Sequence, residues 1–171
     1  AGGNNRQAMI NAKVADLVPE IRFTNPWEAT DPLRVVHLLE HTTGFDALSF
    51  HQMRIAGPNL SLRQAIDLYG PYVSRWKPGT YFAYCDSAPV IAAYIVEKIS
   101  GQKWAEFTRQ RIFGPLGMES AYWDRSPAIV QRLAKSYNLN GVTEEPYVDI
   151  PGKTAGALNV SAQDLGKLIQ L

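Results

Sequence analysis

The chain has 171 residues, enough for one domain with a hydrophobic core, and its 46% hydrophobic and 19% charged residues are typical of a globular protein. A net charge of +1 gives no electrostatic attraction to nucleic acid or to an anionic membrane surface, so we expect neither partner. The single cysteine excludes an internal disulfide, and no clustered Cys/His spacing predicts a metal site. The longest apolar run is too short to span a bilayer, and no signal peptide is recognisable.

The N-terminal part of the chain contains one helix with a clear start signal. Residues 1–10 are small and polar, which favours poor order, and residues 11–20 fit either a short helix or an extended segment. Asp31 and Pro32 then provide a cap and a first-turn proline for a helix that ends before Gly44.

A second helix is predicted after a long loop. Residues 45–60 have the composition of a loop with an internal turn. Ser61 and Gln64 have the spacing of a capping box, which predicts a helix that ends at Gly70.

The central stretch, residues 76–101, joins a turn that carries polar groups to a helix that is apolar on nearly every face. Asp86 or Ser87 is placed to cap this helix, Pro89 fits an early position, and Gly101 is placed to end it. A helix that is apolar all round is expected to be buried. A phenol, a thiol, a carboxylate and a hydroxyl precede it, at the end where the helix dipole favours negative charge. This arrangement is typical of a functional site on a rigid support.

The remaining residues are predicted to form three more helices and one long loop. The helices are residues 102–113, a helix that Ser126 and Pro127 begin and that continues through Ala134, and a final helix from a capping box of Ser161 and Asp164 to Leu171. Residues 137–154 form the loop, with short strands near Val142 and Tyr147. Helices dominate and no substantial sheet is predicted, so the fold class is mainly α.

Five blocks of sequence, in order along the chain, carry a family resemblance. They are V-V-H-L-L-E-H-T-T-G-F, W-K-P-G-T-Y-F-A-Y-C-D-S, I-V-E-K-I-S-G-Q-K-W, I-F-G-P-L-G-M-E-S-A and A-G-A-L-N-V-S-A-Q-D-L-G-K. Together they resemble the serine β-lactamase and penicillin-binding-protein-like hydrolases, in the branch of class C β-lactamases, D-Ala-D-Ala peptidases and related esterases. The resemblance implies that residues 1–171 form a single helical domain, the helical subdomain of that α+β fold, with the main sheet largely missing. It also implies no cofactor, and a periplasmic or secreted location.

The family's chemistry is acyl transfer by a serine nucleophile on an amide or ester, with three motifs. A Ser-x-x-Lys motif provides the nucleophile, a Tyr-x-Asn motif provides proton transfer and a substrate-holding amide, and a Lys-Thr-Gly-like strand binds substrate. Tyr84-Cys85-Asp86 matches the second motif, so the resemblance implies that Tyr84 transfers the proton and that Asp86 stands in the place of the amide. The other two motifs are expected before Ala1 and after Leu171.

Asp86 departs from the family pattern. A carboxylate only accepts hydrogen bonds, whereas an amide also donates. We expect its charge to repel a substrate carbonyl oxygen and to raise the pKa of Tyr84. Turnover of a β-lactam or a peptide is therefore a weaker expectation than the fold.

Three internal matches to the missing motifs are expected to be structural. Ser74 and Lys77 flank a turn, and Ser100 and Lys103 lie on either side of a helix end, so neither pair would share a helix face. The segment 152–155 imitates Lys-Thr-Gly but precedes the last helix rather than forming a strand.

His37, His41 and Cys85 also have two interpretations each. His37 and His41 have the i, i+4 spacing of a metal pair on one helix, but no third ligand is near in sequence, so we expect His41 to close the helix end by hydrogen bonding. Cys85 is expected to be a small packed residue, and a reactive thiolate is the alternative.

Three hypotheses for function follow. In the first, the chain is a fragment of a serine hydrolase and is inactive alone. In the second, it is a non-catalytic helical module that binds a partner. In the third, it completes an active site with a missing piece, and its exposed apolar surface favours self-association.

Overall fold

The computed structural model of the chain describes residues 2–49, 52, 60–147 and 150–170, and the side chains of all of these except residues 2–6 and 128. The helices are α1 Gly2–Asn11, α2 Val14–Leu17, α3 Val35–Leu39, α4 Leu62–Tyr69, α5 Ser87–Ser100, α6 Trp104–Thr108, α7 Pro127–Val130, α8 Lys153–Gly156 and α9 Ala162–Ile169, and a π-helical turn, Arg109–Phe113, continues α6. The strands are β1 Phe23–Thr24, β2 Tyr72–Val73, β3 Ser136–Tyr137 and β4 Glu144–Glu145. Across these ranges the fold is mainly helical, as predicted.

Helix α5 is the centre of the structure and packs against α3, α4, α6 and α8. Its predicted bounds are confirmed, because Gly101 has a left-handed conformation (φ 69°) that ends the helix. Val90 and Ile91 are fully buried, and each such side chain contributes about 1.5–3 kcal/mol through removal from water. The expectation of burial on every face is wrong at the C-terminal end, where Ile99 is 55% exposed.

Two hydrophobic clusters form the core. The larger one surrounds α5 and includes Val14, Val18, Leu33, Leu38, Phe45, Ile66 and Tyr72. The smaller one is built on Phe113, Met118 and Ala121, with Trp123 and Leu158 packed against it. Trp104 joins the two, since its ring centroid lies 5.8 Å from that of Trp123.

Both sheets are very small. Strands β1 and β2 pair in parallel, with Phe23 opposite Tyr72, and both rings contact Phe45 with centroids 5.9 and 5.3 Å away. Strands β3 and β4 form an antiparallel hairpin, with Ser136 opposite Glu145. Short strands were predicted near Val142 and Tyr147, but neither residue lies in a strand, and β4 lies between them.

The N-terminal part contains one helix that was not predicted and one that begins later than predicted. Residues 2–11 form α1, a helix for which the sequence has no clear start signal. Helix α3 begins at Val35 rather than at Pro32, because Arg34 is extended (φ −116°, ψ 160°) and its N–H donates to Nδ1 of His37 at 3.1 Å. The side chain of His37 therefore makes the bond that fixes the start of this helix.

The capping box of Ser61 and Gln64 is confirmed: the Ser61 hydroxyl accepts from the Gln64 N–H, and Gln64 Oε1 accepts from the Ser61 N–H at 2.9 Å. The predicted loop 45–60 lies largely outside the described residues. Those that are described at its start, residues 45–49, have no regular structure.

Several C-terminal predictions are corrected by tertiary contacts. Helix α7 ends at Val130, one turn before the predicted end, and residues 153–156 form α8 instead of loop. The second capping box is only half formed. Ser161 accepts from the Asp164 N–H at 3.2 Å, but the Asp164 carboxylate accepts from the N–H and hydroxyl of Ser120 at 2.7 and 2.6 Å.

Candidate active site

Tyr84 lies on the segment that leads into α5, with its side chain 51% exposed. Its hydroxyl donates to Oδ1 of Asp86 at 3.2 Å, so the structure brings the two predicted site residues together. Asp86 occupies the N-cap position of α5 but has helical dihedrals (φ −70°, ψ −24°) and makes no side-chain bond to the helix. The predicted cap is therefore wrong in its chemistry, since the Asp86 carboxylate binds the phenol instead.

His41 contacts Tyr84 and hydrogen-bonds to the residues on either side of it. Its carbonyl accepts from the Ala83 N–H at 2.9 Å, and its Nδ1 accepts from the Cys85 N–H at 3.4 Å. Its ring lies against that of Tyr84, with centroids 4.6 Å apart. Sequence reasoning missed this contact, although the E-H-T-T-G-F block was the signal that contained it.

The loop that carries His41 is held firmly against the turn before Tyr84. Gly44 has a φ of 77°, and a Cβ there would lie 3.1 Å from both Arg75 N and Trp76 O. Its carbonyl accepts from the Arg75 N–H at 3.1 Å. Only glycine combines this conformation with so close an approach of two backbone segments.

Thr43 and Cys85 join the same loop to the start of α5. Both side chains are fully buried, and Thr43 Oγ1 lies 3.7 Å from Cys85 Sγ. Thr43 Oγ1 also accepts from the Phe45 N–H at 3.1 Å, and its carbonyl accepts from the Ser74 hydroxyl at 2.9 Å. Cys85 therefore lies in the packed position that the sequence predicts.

The environment keeps the proton on Tyr84. Burial raises its pKa most, and the neighbouring Asp86 raises it further through its charge and its hydrogen bond. Burial also raises the pKa of Tyr69, with a smaller contribution in the same direction from Asp86 and an opposing one from a Gly152 N–H. The Tyr84 phenol is therefore protonated at neutral pH.

The internal matches to Ser-x-x-Lys bind structural partners. Ser74 donates to Thr43, whereas Lys77 pairs with Asp31 at 3.2 Å. Ser100 Oγ donates to the Val96 carbonyl at 2.7 Å inside α5, whereas Lys103 lies beyond the helix end. In neither pair do the hydroxyl and the amine contact each other.

The imitation of Lys-Thr-Gly packs on the N-terminal turn of α5. Lys153 pairs with Asp124, and Thr154 donates to the Pro89 carbonyl at 3.4 Å. Gly152 is buried there, and a Cβ on it would lie 2.7 Å from the Tyr69 hydroxyl. Lys153 and Thr154 lie in α8 and Gly152 is its N-cap residue, so this segment packs against α5 and does not form a strand.

The two histidines do not share a helix face, because α3 ends at Leu39 and His41 has a left-handed conformation (φ 54°). Among the residues that the structure describes, no three His, Cys, Asp or Glu side chains are grouped to hold a metal ion. Within the same part of the chain, no helix has the length and apolar character needed to cross a membrane.

An open groove runs along the outer face of α5, and we call it the apolar groove. Its volume is about 680 Å³, and the side chains that line it include Met9, Leu39, Ala92, Val96, Ile99 and Phe107. Contiguous exposed apolar surface is a common feature of the sites where proteins contact other proteins or ligands.

Across the described residues, the mainly helical fold with only small sheets agrees with the sequence resemblance. The family model described as Beta-lactamase matches residues 5–171, and the chain belongs to this family.

Relatives and solved structures agree with this assignment. Penicillin-binding protein 4 of Amycolatopsis lactamdurans is 28% identical over 128 residues, which are 75% of this chain and 33% of that protein. The D-amino acid amidase of Ochrobactrum anthropi SV3 matches with a TM-score of 0.75 at 21% identity, over 94% of this chain and 46% of that one. A β-lactamase/D-alanine carboxypeptidase of Pseudomonas syringae matches with a TM-score of 0.72 at 22% identity, over 98% and 44%. The chain thus spans about a third of the curated relative and under half of these structures.

Proposed function

We propose that the chain provides the proton-transfer phenol of a serine hydrolase that forms an acyl-enzyme on a small amide or ester, such as a β-lactam, a D-Ala peptide or a simple ester. The observation that carries this proposal is the position of Tyr84, a half-exposed residue just before the N-terminal end of the central helix α5. Family membership and the names of the relatives support the same class of chemistry.

In this proposal, Tyr84 acts first as a general acid. A serine from another part of the fold passes its hydroxyl proton to the lysine of the family's Ser-x-x-Lys motif and attacks the carbonyl carbon. The bond to the leaving nitrogen or oxygen then breaks as that atom takes the Tyr84 phenol proton. A raised pKa suits this order, because the phenol is protonated when the substrate binds. The Tyr84 phenolate then takes a proton from the water that attacks the acyl-enzyme, and the lysine returns its proton to the serine oxygen as the ester bond breaks.

Asp86 would select among substrates. A carboxylate beside the reacting bond accepts hydrogen bonds and repels carbonyl oxygens, so it fits a substrate that presents an N–H or O–H there. The Tyr84 hydroxyl must also release or share its bond to Asp86 when the hydroxyl hydrogen turns to the leaving group, while the ring keeps its orientation. We therefore expect slower proton transfer than an amide at this position would allow.

We further propose that residues 1–171 form one domain, the helical subdomain of the complete fold, and that this domain alone is inactive. Two facts support this: the chain spans a third of a curated relative, and the internal Ser-x-x-Lys matches bind structural partners.

The test is acylation of the complete protein by a fluorescent penicillin and by a fluorophosphonate. Tyr84→Phe is expected to lower the acylation rate by about 10²–10⁴-fold, the usual contribution of a general acid. Tyr81→Phe is the matched control, because Tyr81 is 66% exposed and contacts Trp76 rather than Asp86. Equal rates for the two variants would remove Tyr84 from the reaction.

The alternative is a non-catalytic binding module, and the bond between Tyr84 and Asp86 favours it. A phenol that donates to a neighbouring carboxylate is a self-contained pair that needs no substrate. If the complete protein accepts neither probe and still folds and stays monodisperse, this second proposal replaces the first.

We also propose that the apolar groove is the surface through which the isolated chain associates with itself. The side chain of Ile99 is 55% exposed and that of Leu39 is 58% exposed, although both are large and apolar. A net charge of +1 does not oppose contact between two copies.

A further inference from the structure

We propose that His41 is a positioning residue that holds the Tyr84 phenol in its reactive orientation; this role rests on the proposed function of Tyr84. His41 binds the chain on both sides of that tyrosine, through its carbonyl to the Ala83 N–H (2.9 Å) and through Nδ1 to the Cys85 N–H (3.4 Å). Its ring lies against the phenol ring at 4.6 Å between centroids, with the planes inclined by 37°.

The backbone of His41 indicates that this arrangement is enforced. His41 is the one non-glycine residue with a positive φ (54°) among those described. This conformation costs an L-residue about 1–2 kcal/mol, so neighbouring bonds must hold it. Two such bonds are the Thr42 N–H to the His37 carbonyl and the Gly79 N–H to the Thr42 carbonyl, both 2.9 Å.

Histidine combines two properties at this position. Because Nδ1 accepts the bond from Cys85, the ring proton resides on Nε2, and the imidazole stays oriented toward the start of α5. In this orientation the imidazole ring contacts the Tyr84 ring. The Phe82 ring is also close, with its centroid 6.0 Å from that of the imidazole. Asparagine could adopt the same φ and accept the same bond, but it has no ring.

Such positioning matters because Tyr84 is half exposed. A tyrosine in that setting would otherwise sample several staggered rotamers, and proton transfer requires placement within about 0.5 Å. Loss of the imidazole would therefore leave the phenol present but misplaced. In the complete protein this predicts a lower kcat with little change in KM.

The experiment uses the 171-residue chain labelled with ¹³Cζ-tyrosine and compares His41→Asn and His41→Gly. The positive φ is allowed in both variants. His41→Asn keeps a hydrogen-bond acceptor and removes only the ring, whereas His41→Gly removes the ring and the acceptor. His37→Asn is the matched control, because Nδ1 of His37 accepts an equivalent backbone bond, from Arg34 at 3.1 Å. The signals of Tyr81 serve as an internal reference for an exposed tyrosine.

We expect Tyr84 to lose its ring-current shift in both His41 variants. In His41→Gly, its signal should also converge on that of Tyr81, and its titration midpoint should fall toward the usual tyrosine value as burial decreases. His37→Asn should leave Tyr84 unchanged. If His41→Gly and His41→Asn both leave the Tyr84 shifts and midpoint unaltered, His41 does not position the phenol. Should His41→Gly fail to fold, His41→Asn alone decides.

The outcome is separable from the proposed function, since the measurement needs no turnover. A responsive Tyr84 together with normal acylation in Tyr84→Phe would keep the positioning role and reject the catalytic one. If the Tyr84 signal does not change in the His41 variants but Tyr84→Phe is acylated slowly, the catalytic role of Tyr84 stands and the positioning role of His41 is rejected.

Discussion

Gly44→Ala tests whether the loop beneath Tyr84 is as rigid as its contacts indicate. Two effects should destabilise this variant. The positive φ of 77° costs an alanine about 1–2 kcal/mol, and the new Cβ would lie 3.1 Å from two backbone atoms of the facing turn. Backbone atoms cannot move aside as a flexible side chain can, so the overpacking should add about 1–3 kcal/mol.

Gly101→Ala is the control that separates these effects. Gly101 has a similar φ of 69°, but a Cβ there would meet nothing within 4 Å. The loss of backbone freedom in the unfolded chain is the same for both substitutions and cancels in the comparison. The difference between the two variants therefore measures the close approach alone.

The assay is urea unfolding followed by tryptophan fluorescence. With a urea dependence of about 2 kcal/mol per molar, the further loss in Gly44→Ala should lower its midpoint about 0.5–1.5 M below that of Gly101→Ala. Equal midpoints would mean that the loop yields without strain. The account of a firmly held Tyr84 would then be wrong.

Three further predictions concern charge and association. Asp86→Asn should lower the pKa of Tyr84 by removing a neighbouring anion, and an unchanged titration midpoint by NMR would contradict this. Asp164 has its pKa lowered from 3.8 to about 2 by hydrogen bonds and an ion pair. The ionised Asp164 therefore adds to the free energy of unfolding above pH 4, and this contribution is lost as the pH falls toward 2. In Asp164→Asn the free energy of unfolding should fall less over this pH range, as measured by circular dichroism. Ile99→Lys should shift the isolated chain toward monomer in sedimentation experiments, whereas Val130→Lys, at a similarly exposed residue outside the groove, should not.

Sequence patterns correctly predicted the helix ends that are set by hydrogen bonds between residues close in sequence. The capping box at Ser61 and the glycine at 101 set the bounds of α4 and α5 without help from distant residues. The start of α3 was misplaced because a side-chain bond from His37 competes with the proline signal. The second capping box failed because Asp164 finds Ser120, a partner 44 residues away, which no local pattern could reveal.

The site shows the same division. Tyr84 and Asp86 could be proposed as site residues because the family motif is contiguous in sequence. The contact of His41 with Cys85 could not be predicted, because it spans 44 residues and depends on a left-handed backbone that histidine seldom adopts. The exposed part of α5 was not predicted because a helix that is apolar on every face gives no sign of which face other elements cover.

Cys85 gives the molecule a built-in reporter. It is the only thiol in the sequence and has no exposed surface in the closed structure. A maleimide can therefore react only when the segment beside Tyr84 lifts away, and the rate of modification would record how often it does so. Labelling of this buried natural cysteine can thus measure the rate of local opening beside Tyr84, without any engineered label.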